Sequence, residues 1–280
     1  MKIDAHHHLW EYSAVRYPWM TTEFASIRRR FGPEDLQPCL AECGVDRTIV
    51  VQTYSSLEET REFLEVAART PFIAGVVGWV DLTDDRTAET ILALRGTGER
   101  KLVGVRHQVH DEADPAWLLK PHVQRGLTAV GQAGLAFDLL VRPRELPSAY
   151  ETVVRHPEMR FIIDHLAKPP IRAGGSSDWD TGMRRIAALP NVYCKLSGLV
   201  TEADWRDWSV EQLRPYVDRA LAWFGADRLI FGSDWPVCLV AASYAQVVET
   251  ARQLIRGVTA AQEEAIFGNT AMVAYDLSRT

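Results

Sequence analysis

No stretch of the 280-residue chain approaches the run of about 18 apolar residues that a membrane-spanning helix requires, and no basic segment followed by an apolar run opens it. Both absences point to a soluble, cytoplasmic protein. Lys/Arg-rich blocks are missing and the net charge is −6, so neither nucleic acid nor an anionic membrane surface is an expected partner. Cysteine is scarce: Cys39, Cys43, Cys194 and Cys238 are scattered, which suits free buried thiols better than a disulfide framework or a zinc site. Internal repeats, low-complexity tracts and linker-like shifts of composition are lacking too. With 47% hydrophobic residues, what remains is material for one large core, a single domain over residues 1–280.

What the chain does have is an alternation of short β-branched runs with longer amphipathic stretches. The first strand ends in Asp4-Ala5-His6-His7-His8-Leu9, and further strands are predicted over 47–53, 72–80, 102–107, 135–141, 160–165, 191–197 and 228–234. Helices are predicted from Pro33 to Gly44 and over 57–69, 84–95, 121–131, 147–155, 178–188 and 211–224, with two more over 243–256 and 260–276. Residues 11–30 carry Tyr12, Tyr17, Trp19 and Phe24 without regular periodicity, as a loop that builds a lid or pocket wall does. Eight strand–helix units predict an α/β protein, a single (β/α)8 TIM barrel with its active site at the C-terminal ends of the strands. An open doubly wound sheet is the alternative. It would show a glycine-rich phosphate turn after its first strand, where this chain has three histidines.

Strand alternation aims His6 and His8 to one face and His7 to the other. Barrel closure would then gather His6, His8, Gln52, Asp81, Arg106, His107, Asp138, His165, Lys195, Ser197 and Asp234 at one mouth. Asp234, on the last strand, falls beside the His6/His8 pair. Imidazoles and carboxylates converging in this way suit a divalent cation, zinc if nitrogen ligands dominate and manganese if oxygen does.

At these residues the chain resembles a known family. Asp4-Ala5-His6-His7-His8-Leu9-Trp10 is similar to the opening HxH strand of the amidohydrolase superfamily. Asp164-His165-Leu166-Ala167-Lys168-Pro169 and Phe231-Gly232-Ser233-Asp234-Trp235-Pro236 resemble the later histidine and aspartate strands of its sugar-lactonase branch. Gly104-Val105-Arg106-His107 and the segment from Phe137 to Pro143 fit the same branch, which includes L-fuconolactone and L-rhamnonolactone hydrolases and a pyrone-dicarboxylate lactonase. The resemblance implies one divalent ion at most, held by His6, His8, His165 and Asp234. Zinc is expected ahead of manganese, and the branch varies in whether the ion is needed for turnover. Binuclear members place a bridging lysine at the fourth strand end, where this chain has Arg106 and His107.

Lactone hydrolysis needs a water, a base, a positive group at the carbonyl oxygen and a proton for the leaving alkoxide. Asp234 is the expected base, His165 the second catalytic group, and Arg106, His107, Gln52, Trp10, Asp138 and Trp235 the expected substrate-binding residues. Each has a structural alternative: Arg106 as a bridge to a loop carboxylate, His107 and His110 as loop anchors, Trp205 and Trp208 as packing. His122 and His156 read as inert surface residues, and Asp4, expected on the face of His6 but one layer deeper, as a group that orients a ligand or satisfies backbone donors. The expected substrate is a neutral aldonolactone, because few cations converge on the mouth to pair a dicarboxylate while tryptophans are plentiful. Arg142 is expected past the strand end, on the wrong face to help. The alternatives are a decarboxylase or a pyrone or muconolactone hydrolase on the same scaffold, and a binding protein without chemistry. A homo-oligomer is compatible with everything in the chain.

Overall fold

A computed structural model describes residues 1–97 and 101–277. Eight parallel strands follow one another around a single sheet in chain order: β1 (Ile3–His7), β2 (Arg47–Val51), β3 (Ile73–Gly78), β4 (Leu102–His107), β5 (Ala136–Leu139), β6 (Phe161–Ile163), β7 (Val192–Leu196) and β8 (Leu229–Phe231). The ring closes through backbone bonds just past the strand ends, where Asp234 N–H donates to the His6 carbonyl at 2.8 Å and His8 N–H to that of Trp235 at 2.6 Å. The architecture is therefore the expected (β/α)8 barrel, and the closing bonds themselves set Asp234 against the histidine pair.

Helices α1 (Pro33–Cys43), α2 (Leu57–Arg69), α3 (Thr87–Thr97), α4 (Pro121–Gln132), α5 (Leu146–Arg155), α6 (Ser177–Ala187), α7 (Leu199–Glu202), α8 (Val210–Phe224) and α9 (Tyr244–Leu254) complete the strand–helix alternation. Ser56, Ser176, Ser209 and Ser243 cap α2, α6, α8 and α9, each accepting the backbone N–H three residues on. The last predicted helix is broken into α10 (Ala260–Glu264), a π-helical turn over Ala265–Asn269, and α11 (Thr270–Ala274). Tyr275, directly after α11, packs inside the bottom of the barrel with Ile3, Ala5, Ile49, Val51, Val77, Ala136, Ile162 and Ile230. Residues 11–30 are irregular as expected, apart from a short 3-10 turn over Thr22–Ile27.

Strand alternation misplaces one residue. The β1/β2 register pairs Asp4 with Thr48 but His7 with Val50, so β1 holds one extra residue between them. This bulge resets the alternation: Ile3 and Ala5 face the interior cluster while Asp4 turns outward to Tyr244 of α9. Asp4 therefore does not share the face of His6. It does satisfy backbone donors, accepting from Ser233 N–H at 2.8 Å and His6 N–H at 3.1 Å. Beyond the bulge the rings behave as expected, and His7 points away from the interior to bond Thr48 Oγ1 at 2.9 Å.

Candidate active site

Four side chains meet where β1, β6 and β8 end. His6 Nε2 lies 3.2 Å from His8 Nε2, and Asp234 Oδ1 lies 3.4 Å from His8 Nε2, 3.8 Å from His6 Nε2 and 3.9 Å from His165 Nε2. Ligands about 2.0–2.1 Å from a tetrahedral ion stand roughly 3.3 Å apart, so His6, His8 and Asp234 are spaced as ligands of one ion, while His165 groups with His6 and Asp164 instead. His8 donates Nδ1–H to the Val51 carbonyl at 2.7 Å, which leaves its Nε2 lone pair free on the side of the cluster. His165 turns Nδ1 to Ser197 Oγ at 2.8 Å and Nε2 to Asp234. The set fits a divalent metal site.

Three local devices hold these side chains. The bulge in β1 aims His6 and His8 inward. His165 sits in a turn in which His165, Leu166, Ala167 and Lys168 all have φ between 48° and 56°, the left-handed region, with no glycine among them. Such residues cost about 1–2 kcal/mol each, and the turn is held by Lys168 N–H to the His165 carbonyl at 2.8 Å and by Trp179 Nε1–H to that of Leu166 at 2.6 Å. Gly198 completes the seat, because a Cβ there would stand 2.6 Å from His165 Nδ1. Asp234 is left-handed too, at φ 58°.

Burial sets the protonation states. It drives His165 down to about 4 and His7 to about 3, and with the nearby Lys195 ammonium it holds His6 well below the usual imidazole range. Burial alone would raise Asp234, but His165 and His8 outweigh it and keep the carboxyl below its ordinary value. Neutral imidazoles around an ionised carboxylate are the forms that ligate metal and accept protons.

Beneath the cluster runs a buried ionic chain. Arg106 Nη1 lies 2.9 Å from Asp164 Oδ2, Lys195 Nζ lies 2.9 Å from Asp164 Oδ1 and 2.5 Å from Asp138 Oδ2, and Tyr275 donates to Asp138 Oδ2 at 2.7 Å. Burial would raise Asp164, yet Lys195, His6 and Arg106 carry it well below the carboxylate range; Asp138, with Lys195 beside it and Asp164 opposing, is pushed by burial up to about 6.

Above the cluster opens a cavity of about 830 Å³ with His8, Arg106, His165 and Asp234 in its floor. Trp19, Phe24, Tyr54 and Trp205 form an aromatic wall, where Phe24 of the 11–30 segment meets Trp205 with ring centroids 5.0 Å apart. Several expected substrate ligands stand elsewhere. Gln52 is buried behind the wall, its amide exchanging hydrogen bonds with Gln108 at 2.9 and 3.2 Å, and Gln108 reaches the cavity in its place. Asp138 is consumed by Lys195 and Tyr275 below the floor. Trp10 donates to the Ile27 carbonyl at 3.2 Å and packs edge-on to Phe31, as does Trp235, so both rings support the loop rather than line the cavity. Lys195 is wholly buried under the floor, and Asp81 is exposed, capping its own turn by accepting from Thr83.

His107 does line the cavity, but both its nitrogens are engaged: Nδ1 accepts from Trp79 Nε1 at 3.0 Å, and Nε2 lies 2.8 Å from Glu112 Oε1. His110, discounted from its loop position, also stands on the wall, and its Nδ1 has no partner among the described residues. Arg142 is on the wall as well, contrary to expectation, and so is a Lys168–Glu202 pair at 2.5 Å that sequence reasoning missed, although Lys168 stood in a quoted motif. Arg106 does bridge, to Asp164 and the Gln52 carbonyl rather than to a loop carboxylate. No described helix is long and apolar enough to cross a membrane.

Known proteins share this arrangement. The amidohydrolase family pattern matches residues 3–277. An L-fucono-1,5-lactonase from Burkholderia ambifaria is 44% identical over 243 residues, 87% of this chain and 83% of its own. A second L-fucono-1,5-lactonase, from Burkholderia multivorans, is 38% identical over 99% of this chain and 96% of its own. The crystal structure of an amidohydrolase from Burkholderia multivorans with bound zinc superposes with a TM-score of 0.94 at 38% identity, covering 99% of both chains.

Proposed function

The chain belongs to the amidohydrolase family, and from that premise we propose that it is a lactone hydrolase, opening an aldono-lactone of the L-fucono or L-rhamnono type to its sugar acid. One observation carries the reading: Asp234 Oδ1 lies within 3.4–3.9 Å of three imidazole Nε2 atoms in the floor of an aromatic-walled cavity. The 38–44% identity to L-fucono-1,5-lactonases favours the lactone over the decarboxylase, pyrone and binding-protein alternatives.

The divalent ion that His6, His8, His165 and Asp234 would hold is zinc on the strength of its three nitrogen donors, and when bound it supplies Lewis acidity to the carbonyl and acidity to a water. Asp234 takes the proton from the water whose oxygen adds to the lactone carbonyl. When the ring C–O bond breaks, the same carboxyl returns that proton to the ring oxygen, which leaves as a hydroxyl. His165, kept neutral by burial, orients Asp234 and borders the carbonyl position. Trp19, Phe24 and Trp205 exclude water and pack the apolar face of the sugar, while Gln108, His110, Arg142 and the Lys168–Glu202 pair bond its hydroxyls.

The test is an aldonolactone panel followed with a pH indicator, with and without exhaustive chelation. Acid release from L-fucono-1,5-lactone, lost on chelation and restored by zinc, is expected. A metal-replete sample that opened no sugar lactone yet turned over a pyrone or aromatic carboxylate would overturn the reading. Gly198→Ala supplies a second check on the role of His165. The added methyl meets the imidazole at 2.6 Å and must adopt φ 64°, so the ring is displaced and kcat/KM is expected to fall about 10- to 100-fold. Unchanged kinetics in the folded variant would mean that the ring position is not critical.

A further inference from the structure

His107 is an expected substrate ligand that the structure leaves without a free atom. Trp79 Nε1, which can only donate, lies 3.0 Å from His107 Nδ1, so that nitrogen accepts and the ring proton sits on Nε2. Nε2 in turn donates to Glu112 Oε1 at 2.8 Å. Burial keeps the imidazole below its usual range, in the neutral form this pattern needs. The ring also lies flat on Trp117, with centroids 4.2 Å apart and planes 8° apart. Held at both nitrogens and across one face, His107 cannot turn to a ligand, and what it can influence is Glu112.

Glu112 is fixed through its backbone as well. It follows the 3-10 turn Val109–Asp111 beyond the end of β4, and its N–H donates to the Val109 carbonyl at 3.1 Å. Arg144 Nη2 donates to the Glu112 carbonyl at 2.5 Å and to that of His110 at 3.3 Å, so this guanidinium grips the main chain and leaves the carboxylate alone. The Glu112 side chain stands on the cavity wall, 32% exposed. With Oε1 taken by His107, Oε2 has no hydrogen-bond partner among the described residues.

The neighbouring charged and amide groups are spent or of the wrong sign for the same task. Arg142 and Lys168 only donate. Gln108 Oε1 already accepts from Gln52 Nε2 at 3.2 Å and from Ser55 Oγ at 3.0 Å. Glu202 Oε1 is taken by Lys168 at 2.5 Å, and Asp111, 68% exposed, is turned to solvent. Each hydroxyl of a sugar lactone brings a proton that must find an acceptor once water is excluded. We propose that Glu112 Oε2 accepts a ring hydroxyl of the lactone and selects for it, and that His107 is the positioning residue that aims the carboxylate. The inference rests on the lactone reading given above and names the wall group by which a hydroxylated ring is told from a bare one.

The test compares L-fucono-1,5-lactone with δ-valerolactone, the same six-membered ring without hydroxyls, on the full-length protein at saturating zinc. δ-Valerolactone is scored by kcat/KM, or by its inhibition constant where it is bound but not opened. In Glu112→Gln the amide oxygen must stay on His107 Nε2–H, which puts an NH2 where the acceptor stood. The preference for the hydroxylated lactone is expected to fall about 10-fold, chiefly through KM. An unchanged preference would overturn the inference while leaving lactone hydrolysis intact, whereas wild-type protein that opens no lactone would remove both. His107→Phe and His107→Gln separate aim from packing. Phenylalanine keeps the face on Trp117 but has no N–H for Glu112; glutamine gives up the ring, but its amide nitrogen reaches the place of Nε2. The preference is expected to be lost in the first and largely kept in the second. The reverse order would show that His107 only packs and would overturn its positioning role, and if neither variant folds Glu112→Gln decides.

Discussion

Replacing Asp234 with asparagine is expected to lower kcat on the preferred lactone by about 10²-fold or more, at the scale of removing a general acid–base. The carboxylate is buried, held ionised by His165 and His8, and sits between the three imidazole nitrogens and the cavity. An amide of the same size neither accepts the water's proton nor returns it, and one orientation points an N–H at His8 Nε2. Because Asp234 also belongs to the proposed donor set, turnover should be measured at saturating zinc, so that lost metal and lost base are told apart. A folded, zinc-loaded Asp234→Asn chain turning over near the wild-type rate would show that another group activates the water.

The second large effect is on stability. Lys195→Met removes the only cation within reach of Asp138 among the described residues and one of two bound to Asp164, leaving buried carboxylate facing a thioether. Breaking a buried pair from one side costs about 3–5 kcal/mol, and in a chain of this size that amounts to a fall in Tm on the order of 10 °C. The loss should depend on pH. Burial pushes Asp138 up to about 6 even with Lys195 beside it, above its ordinary 3.8, so the folded state binds a proton that the unfolded state releases. Stability from such a group is lost as pH rises through the folded value. Without Lys195 that value rises further, so the deficit is expected to be larger at pH 8 than at pH 5. Thermal unfolding of Lys195→Met and of Lys195→Met/Asp138→Leu checks this, since the double variant deletes the stranded carboxylate and should recover part of the deficit. Equal Tm for Lys195→Met and wild type at pH 8 would refute the account.

The barrel and its cluster of histidines with Asp234 were legible in sequence because both follow from periodicity. Eight β-branched runs alternating with amphipathic helices leave few topologies, and a parallel barrel brings the end of every strand to one mouth. His6, His8, His165 and Asp234 each sit at such an end, and the structure brings them together. What sequence did not reveal is non-periodic. The extra residue in β1 moves Asp4 to the opposite face from His6, and no composition signal marks it. Gln52, Asp138 and Lys195 do lie at strand ends or on interior-facing positions, but whether such a side chain reaches solvent depends on what packs above it. Here Gln108, the ionic chain and the cluster itself cover them. Trp10 and Trp235 looked like cavity aromatics because tryptophan on an active-site loop serves equally as wall or as support, and only the fold of 11–30 decides between the two.

The turn that carries His165 bears on how freely this chain can drift. Residues 165–168 follow the backbone path that would be relaxed in a mirror-image protein, and they do so without glycine. Four such positions at about 1–2 kcal/mol each draw on the same order of free energy as the whole 5–15 kcal/mol by which a folded domain survives. The catalytic mouth is thus a standing load on the barrel. Mutations that weaken the distant helical shell and would be silent in an unstrained barrel should cost this one disproportionately, so the slack available for change lies in the scaffold's surplus stability rather than at the mouth.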